Sequence, residues 1–153
     1  MKIDFKKIIN IKKKEDLREF KIEKPIFQSN YLFHYLIQLG NLDGLKLVRF
    51  PIYIENVDNL NGFHLASKEY NFNILCYLIE NYSEYIYNRN DNKELFTHYL
   101  PIEEFTKFIK KYPKLNWSEL ITNDLLKVIF TNLHFSDLNN FTTIYNIKPE
   151  FKN

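Results

Sequence analysis

The sequence contains little of several residue types on which specialised folds depend. Its 153 residues include one cysteine, three glycines and five prolines. With Cys76 alone, no disulfide can form within the chain, which excludes a small secreted scaffold held by disulfides. Three scattered glycines leave no glycine-rich loop that could cradle a phosphate, and a single cysteine excludes the Cys-x-x-Cys pairs of zinc and redox sites.

Long hydrophobic runs are also missing. The apolar stretches fall well short of the roughly 20 residues that span a bilayer, and the N-terminus lacks the apolar core and cleavage site of a secretory signal. We therefore expect an intracellular protein in the cytoplasm, without membrane contact. Many Lys, Asn, Ile, Phe and Tyr residues and only three arginines indicate AT-rich codons, which describe a genome and not a function.

The charge is small and unevenly placed. The formal net charge is +2, while residues 1–24 contain nine basic and five acidic residues, a net +4, so the remainder carries −2. A basic arm that binds a phosphate backbone is one interpretation of this segment. Acids alternate with the lysines, however, and Phe5, Ile8, Ile9 and Ile11 suit packing. We favour a basic capping segment over residues 1–28.

What the chain does have, with 45% hydrophobic residues, is a pattern of paired short helices. In "YLFHYLIQLGNLDGLKLV", which begins at Tyr31, apolar residues crowd too closely for a helix with one buried stripe, which predicts burial on most sides. Gly40 can take the left-handed conformation that ends a helix, and the Asn41 side chain can cap the next one. Pro51 prevents continuation of the second helix.

The same unit recurs farther along the chain without a gap. "FHYLIQLGNLDGLKLV" aligns with "FHLASKEYNFNILCYL", which pairs Phe33 with Phe63 and His34 with His64. This period of 30 residues lies near the roughly 33 residues of an ankyrin repeat and is longer than the usual length of a leucine-rich repeat.

The unit resembles the ankyrin repeat, which opens with Thr-Pro-Leu-His-x-Ala and joins two helices at a glycine. "NGFHLA", which ends at Ala66, and "YLFHYL" keep the histidine and the large apolar residue before it. Gly40 matches the glycine, but the second copy has Tyr70 there, where the neighbouring Asn71 could supply the left-handed residue. "VDNLNG" lies where the family has a projecting turn, with Asp58 and Asn59 as turn residues.

The resemblance implies an all-α, ankyrin-like helical repeat solenoid of about three to four degenerate helix-turn-helix units, of the kind found in viral or protist proteins from AT-rich genomes. We expect the repeat domain to cover residues 29–153. Its clear repeats are about 30–60 and 61–90, and its weaker repeats are about 91–120 and 121–149. Pro101 follows His98-Tyr99-Leu100 closely, so the first helix of the third copy should lose about one turn.

The resemblance also implies a non-catalytic scaffold or adaptor that binds an unknown protein through turn tips and the face of the first helices. Such a protein would be monomeric and would need no cofactor. If the source is viral, its location would be the host cell cytoplasm. His34, Gly40, His64 and Ala66 would be structural parts of the repeat. The expected contacts are Tyr35, Gln38, Glu55, Asn56, Asp58, Asn59, Lys68, Glu69, Arg89, Asn90, Asp91 and Asn92.

Candidates for chemistry have simpler structural interpretations. Zinc ligands must lie about 2.0–2.3 Å from one ion, whereas His34 and His64 in adjacent repeats would be separated by a helix-packing distance of roughly 8–10 Å. Their imidazoles should instead bind turn backbone. Cys76 is expected as a small buried side chain, and Glu103 and Glu104 as the acidic first turn of a helix. We expect no catalytic residues and no bound metal.

Two alternatives remain open. A module that binds nucleic acid or an anionic surface could use the N-terminal lysines, or the lysines and aromatics of "FTKFIKKYPKLNW". In that second segment the apolar residues fall at helical spacing and look internal, which favours a solvated helix face for the lysines. Affinity that collapses with added salt would support such a module, although a nucleic-acid partner is not our expectation. An enzyme would require a pocket in which a histidine meets Cys76 or a carboxylate.

Overall fold

The computed structural model describes residues 3–121, and the regular structure in this range is helical. The chain divides into two compact units, one ending at Tyr99 and the other beginning at Leu100. The weak repeat predicted over about 121–149 lies, apart from its first residue, outside the described range, as does His134. Within this range no helix has the length and apolar character needed to cross a bilayer. The α-helices of the first unit are α1 (Phe5–Ile9), α2 (Leu32–Gln38), α3 (Leu42–Leu45), α4 (Gly62–Lys68) and α5 (Phe72–Asn81).

In the first unit, the helices pack side by side in chain order. Helix α1 contacts α2, α2 contacts α4, and α4 contacts a short 3-10 helix, Phe96–Tyr99. Helices α2 and α4 also pack against the helices that follow them, α3 and α5 respectively. The contacts between successive helix pairs are therefore made mainly by their first helices, and each first helix also packs against its own second helix.

A left-handed glycine ends helix α2. Gly40 has a φ of +74°, and its N–H donates to Ile37 O at 3.1 Å while the N–H of Asn41 donates to Leu36 O at 2.9 Å. These two hydrogen bonds define a Schellman motif. Asn41 then caps α3, because its Oδ1 accepts the N–H of Gly44 at 2.9 Å.

The same motif ends α4, but the left-handed residue is Tyr70 and the expectation for Asn71 was wrong. Tyr70 has a φ of 39°, and the Asn71 N–H donates to Ala66 O at 3.3 Å. Asn71 itself is extended, with a φ of −120°, because its side chain caps α5 through the N–H of Ile74. The position following the helix must be left-handed to make the motif, and the next position must be extended to cap, so Asn71 cannot serve both roles.

The second helices differ in length, which changes the period along the chain. Helix α3 has four residues and ends well before Pro51, whereas α5 has ten. The first helix of the third copy is reduced to the four-residue 3-10 helix Phe96–Tyr99, followed closely by Pro101. The proline lacks the N–H needed to extend that helix.

The N-terminal segment belongs to the packed structure of the first unit. Ile8 and Ile11 are fully buried, while Phe5 and Ile9 remain about half exposed. The Asn41 Nδ2 donates to the carbonyl oxygens of Ile8, Ile9 and Ile11 at 2.8, 3.1 and 2.9 Å. One side chain thus caps α3 and fixes the end of α1 against the α2–α3 turn.

The second unit is described from Leu100 to Ile121. It contains a 3-10 helix, Ile102–Glu104, then α6 (Phe105–Lys111) and α7 (Trp117–Leu120). Phe105, Phe108 and Ile109 are fully buried on α6, as their helical spacing predicts. Trp117 Nε1 donates to the Tyr112 carbonyl at 2.8 Å, which fixes α7 to the end of α6.

Candidate interaction surface

Three five-residue turns precede the first helices and share one backbone hydrogen bond, although the left-handed residue is the third of the first turn and the fourth of the other two. We name residues 26–30 turn 1, residues 56–60 turn 2 and residues 90–94 turn 3. In each, the N–H of the first residue donates to the carbonyl of the fifth, at 2.8, 2.9 and 3.0 Å respectively. The interval from turn 2 to turn 3 is slightly longer than the interval from turn 1 to turn 2. Turns 2 and 3 also share a closing asparagine.

Turns 2 and 3 are closed by a buried asparagine. Asn56 Oδ1 accepts the N–H groups of Asp58 and Leu60 at 2.9 and 3.1 Å. Asn90 Oδ1 accepts the equivalent groups, those of Asn92 and Glu94, at 3.0 and 2.9 Å. The fourth residue is left-handed in both turns, with φ of 60° at Asn59 and 62° at Lys93. The tips are therefore held rigidly by internal hydrogen bonds.

Turn 2 is also bonded to turn 1, and turn 3 is bonded to the residue that directly precedes turn 2. The Val57 N–H, in the second position of turn 2, donates to Asn30 Oδ1 at 3.0 Å. The Asp91 N–H, in the same position of turn 3, donates to Glu55 Oε1 at 3.0 Å. The side chains of Asn30 and Glu55 thus join the three turns into a continuous row.

His34 connects its own helix start to the next turn. Its Nδ1 accepts the Tyr31 N–H at 2.9 Å, and its Nε2 lies 2.9 Å from Ile54 O. A neutral ring with its proton on Nε2 satisfies both contacts. Burial lowers the pKa of His34 to about 4, against a weaker opposing effect of the Ile54 hydrogen bond.

His64, at the corresponding position of α4, has a different hydrogen-bonding environment. Its Nδ1 lies 2.6 Å from Asn61 Oδ1 and its Nε2 lies 2.6 Å from Glu94 O, in turn 3. Asn61 Oδ1 also accepts the backbone N–H of His64 at 3.1 Å. This contact fixes the orientation of the Asn61 amide, with its oxygen and not its nitrogen toward His64. Burial lowers the pKa of His64, while the contacts with Glu94 act in the opposite direction. Both imidazoles hydrogen-bond to backbone of the following turn segment, which is the role expected for them from the sequence.

Glu94 links turn 3 to the helix after it. Its Oε1 accepts hydrogen bonds from Tyr99 Oη at 2.5 Å and from Asn90 Nδ2 at 3.1 Å, and its Oε2 lies 2.8 Å from Nε2 of the exposed His98. The Tyr99 hydrogen bond is the main reason that the pKa of Glu94 is lowered. Burial, reinforced by the Glu94 carboxylate, raises the pKa of Tyr99 to about 12.

The residues expected to contact a partner do not form one patch. Tyr35, Asn56 and Asn90 are buried, the asparagines because they close the turns, so these three belong to the scaffold. In α2 and α4, the first six residues of each helix are buried. Three further expected contacts are exposed, namely Gln38, Lys68 and Glu69. They lie about seven residues beyond the helix start, and therefore roughly 10 Å from the turns. Six of the residues expected to contact a partner lie in or beside the row, and all are exposed or half-buried: Glu55, Asp58, Asn59, Arg89, Asp91 and Asn92.

Two exposed apolar side chains in the row were missed in the sequence. Phe27 in turn 1 is 42% exposed and Val57 in turn 2 is 47% exposed. They occupy the same second position in successive turns. Extending the alignment of the two units backward from the helices to the turns would have found both.

The other candidates for chemistry are Cys76 and the N-terminal lysines. Cys76 is buried on α5, and among the described residues no three His, Cys, Asp or Glu side chains could hold a metal ion together. The N-terminal lysines are mixed with acids: Lys7 Nζ lies 2.8 Å from Glu19 Oε2. A groove of about 440 Å³ beside that pair has basic and acidic walls.

Comparison with known proteins found no matching family model, no matching curated protein and no matching solved structure.

Proposed function

We propose that this chain is a degenerate ankyrin-like helical solenoid that acts as a non-catalytic protein interaction module, a scaffold or adaptor, through its row of turn tips. The proposal concerns the first unit and the row formed by turns 1, 2 and 3. A protein partner fits this row better than a nucleic acid, because the row presents polar, apolar and acidic groups instead of a basic stripe.

The recurrence of turn and helix supports the repeat interpretation. The intervals between successive turns lie on either side of the roughly 33 residues of an ankyrin repeat. Each turn leads into a first helix, and these helices pack in chain order. A histidine near the start of α2 and of α4 is tied to the following turn segment. Short helix pairs connected by projecting turns are what the resemblance implies.

The observation that carries the function is the bonding of the turns into a row. Asn30 and Glu55 join neighbouring turns, and Asn56 and Asn90 close two of them from within. The exposed tips are therefore already ordered before a partner arrives. A preorganised surface loses less conformational entropy on binding, so the same contacts give higher affinity.

Affinity purification followed by mass spectrometry tests this proposal. The tagged chain is compared with a variant carrying Asp58→Arg and Asn59→Gly, which changes the tip of turn 2 while glycine retains the left-handed backbone. Glu84→Arg, an exposed charge reversal outside the turns, is the control, and circular dichroism verifies folding of both. We expect the tip variant to lose partners that the control retains.

A second comparison separates this function from binding by the N-terminal lysines. Deleting residues 1–24 would also remove the buried Ile8 and Ile11, so substitution of the exposed Lys6, Lys12 and Lys14 by glutamine is the cleaner test. Capture that survives the tip variant but disappears with the glutamine variant, and falls steeply with salt, would contradict the proposed role of the turns.

A further inference from the structure

The second position of each turn forms a line of side chains across the row. It is occupied by Phe27 in turn 1, Val57 in turn 2 and Asp91 in turn 3, and all three are exposed. Val57 and Asp91 are the residues whose N–H groups donate to a side chain in the preceding turn or directly before it. Their backbones are therefore fixed relative to their neighbours, and we call these three side chains the tip column.

The tip column is apolar at one end and acidic at the other. Asp91 lies beside Glu55, whose Oε1 accepts its N–H, and Asp58 is exposed in turn 2. None of these three carboxylates forms an ion pair with a residue that the structure describes. Arg89 donates instead to the Lys93 carbonyl at 2.8 Å. Burial raises the pKa of Glu55; the hydrogen bond from the Asp91 N–H opposes this effect, and the Asp91 carboxylate adds to it, as expected for neighbouring carboxylates.

We infer that the tip column binds an extended peptide segment of the partner that presents two apolar side chains and then a lysine or arginine. The apolar side chains cover Phe27 and Val57, and the cation lies between Asp91 and Glu55. This inference rests on the proposed function and adds the chemistry of the partner. A cation at that point complements two adjacent carboxylates, which fixes the orientation of the segment along the row.

The geometry also predicts the spacing of the three side chains. Neighbouring repeats of packed helices are separated by roughly 8–10 Å. An extended chain of the polyproline II type advances about 3.1 Å per residue with three residues per turn, so side chains three residues apart lie on the same face about 9 Å apart. Side chains for adjacent turns should therefore be three residues apart. The peptide pattern is apolar-x-x-apolar-x-x-basic, or basic-x-x-apolar-x-x-apolar when the chain runs the other way, and in both cases the basic residue lies at turn 3.

Selection from a random twelve-residue peptide library on the full-length chain is the test. We expect enriched sequences with this pattern, and binding of a labelled enriched peptide is then measured by fluorescence anisotropy. Val57→Ser and Asp91→Lys should each weaken binding, with Asp91→Lys reducing affinity by roughly tenfold or more. Ile9→Ser, which removes an equally exposed apolar side chain from α1, should leave affinity unchanged.

Enriched peptides that are acidic, that lack the spacing, or that bind Asp91→Lys as well as the unchanged chain would overturn the inference. Absence of any enriched peptide would also overturn it. Those results leave the proposed function intact if the Asp58→Arg and Asn59→Gly variant still loses captured proteins, because a folded partner could then use the turns differently. If both experiments fail, the interaction function itself is refuted.

Discussion

The histidines that follow the three turns at corresponding positions have different environments. His34 and His64 are buried and bridge to the following turn segment, whereas the side chain of His98, in the third copy, is 60% exposed and contacts Glu94. The His motif in the sequence indicated the first two roles. It could not distinguish His98, because exposure there depends on the shortened helix that Pro101 follows.

Replacing a bridging histidine should destabilise the fold far more than replacing the exposed one. His64→Ala removes a buried ring and its contacts with Asn61 and Glu94, so we expect a loss of about 2–4 kcal/mol in the free energy of unfolding. His98→Ala removes an exposed ion pair and should cost no more than about 1 kcal/mol. Urea denaturation of both variants measures the difference, and equal losses would contradict the bridging role.

The buried His34 should also make stability depend on pH. Its pKa is lowered to about 4 in the folded chain, against about 6.5 when unfolded. The neutral ring is therefore favoured by folding, and its contribution is complete above about pH 6.5 and is lost as the pH falls toward 4. The difference between the folded and unfolded pKa values corresponds to a contribution on the order of 3 kcal/mol.

A non-titrating variant isolates that contribution. His34→Gln keeps an acceptor for the Tyr31 N–H, so it should flatten the dependence of unfolding free energy on pH between 6.5 and 4. His64→Gln should flatten it less, because the two acceptors around His64 partly support the charged ring. Denaturation measured across this pH range checks which variant flattens the dependence more. If the free energy of unfolding of His34→Gln depends on pH in the same way as that of the unchanged chain, the assigned contribution of His34 is refuted.

Ser67 places a hydroxyl in a fully buried position of α4. Its Oγ has no hydrogen-bond partner in the described part of the chain, and the equivalent residue of α2 is the buried Ile37. Ser67→Ala should therefore leave stability unchanged or raise the free energy of unfolding by up to about 1 kcal/mol. Thermal unfolding measures this, and a clear loss of stability would show that the hydroxyl has a partner after all.

At the scale of elements, local signals predicted helix ends better than helix lengths. Gly40 and Asn41 have the conformation and cap that their residue types indicate. Tyr70 could not be predicted as left-handed, because an aromatic residue tolerates that conformation only when the surrounding motif imposes it. The greater length of α5 was also not evident, and this difference lengthens the interval between turns 2 and 3.

The two equivalent capping asparagines should differ in their sensitivity to substitution. Aspartate at either position keeps the oxygen that caps α3 or α5. At position 41, aspartate replaces the Nδ2 donor with a carboxylate oxygen that faces the carbonyls of Ile8, Ile9 and Ile11. Asn41→Asp should therefore lower the free energy of unfolding by about 2–3 kcal/mol. Asn71→Asp should change stability by no more than about 0.5 kcal/mol, with some gain from the helix dipole.

Comparing the two variants by urea denaturation therefore tests whether residues 8–11 are held against the α2–α3 turn. Equal effects of the two substitutions would indicate that the N-terminal segment contributes little to the first unit.

At the scale of the whole chain, the sequence predicted helical character and a repeat close to the ankyrin period, and it placed polar turn tips before the first helices. The crowded apolar residues predicted that α2 would be buried on most sides, and this is confirmed. The burial of the expected contact Tyr35 and the equal burial of α4 were not predicted, because they depend on neighbours that come from α1 and from the segment that begins at turn 3. The face of the first helices is consequently closed, and the proposed surface is confined to the row of turns.

The most direct test of that surface is NMR chemical-shift mapping of a captured partner on the ¹⁵N-labelled full-length chain. We predict that the largest perturbations fall in turns 1, 2 and 3, with Phe27, Val57 and Asp91 among them, while the amides of α1 and of the N-terminal lysines remain unchanged. Perturbations concentrated on those lysines, with the three turns unaffected, would contradict the account.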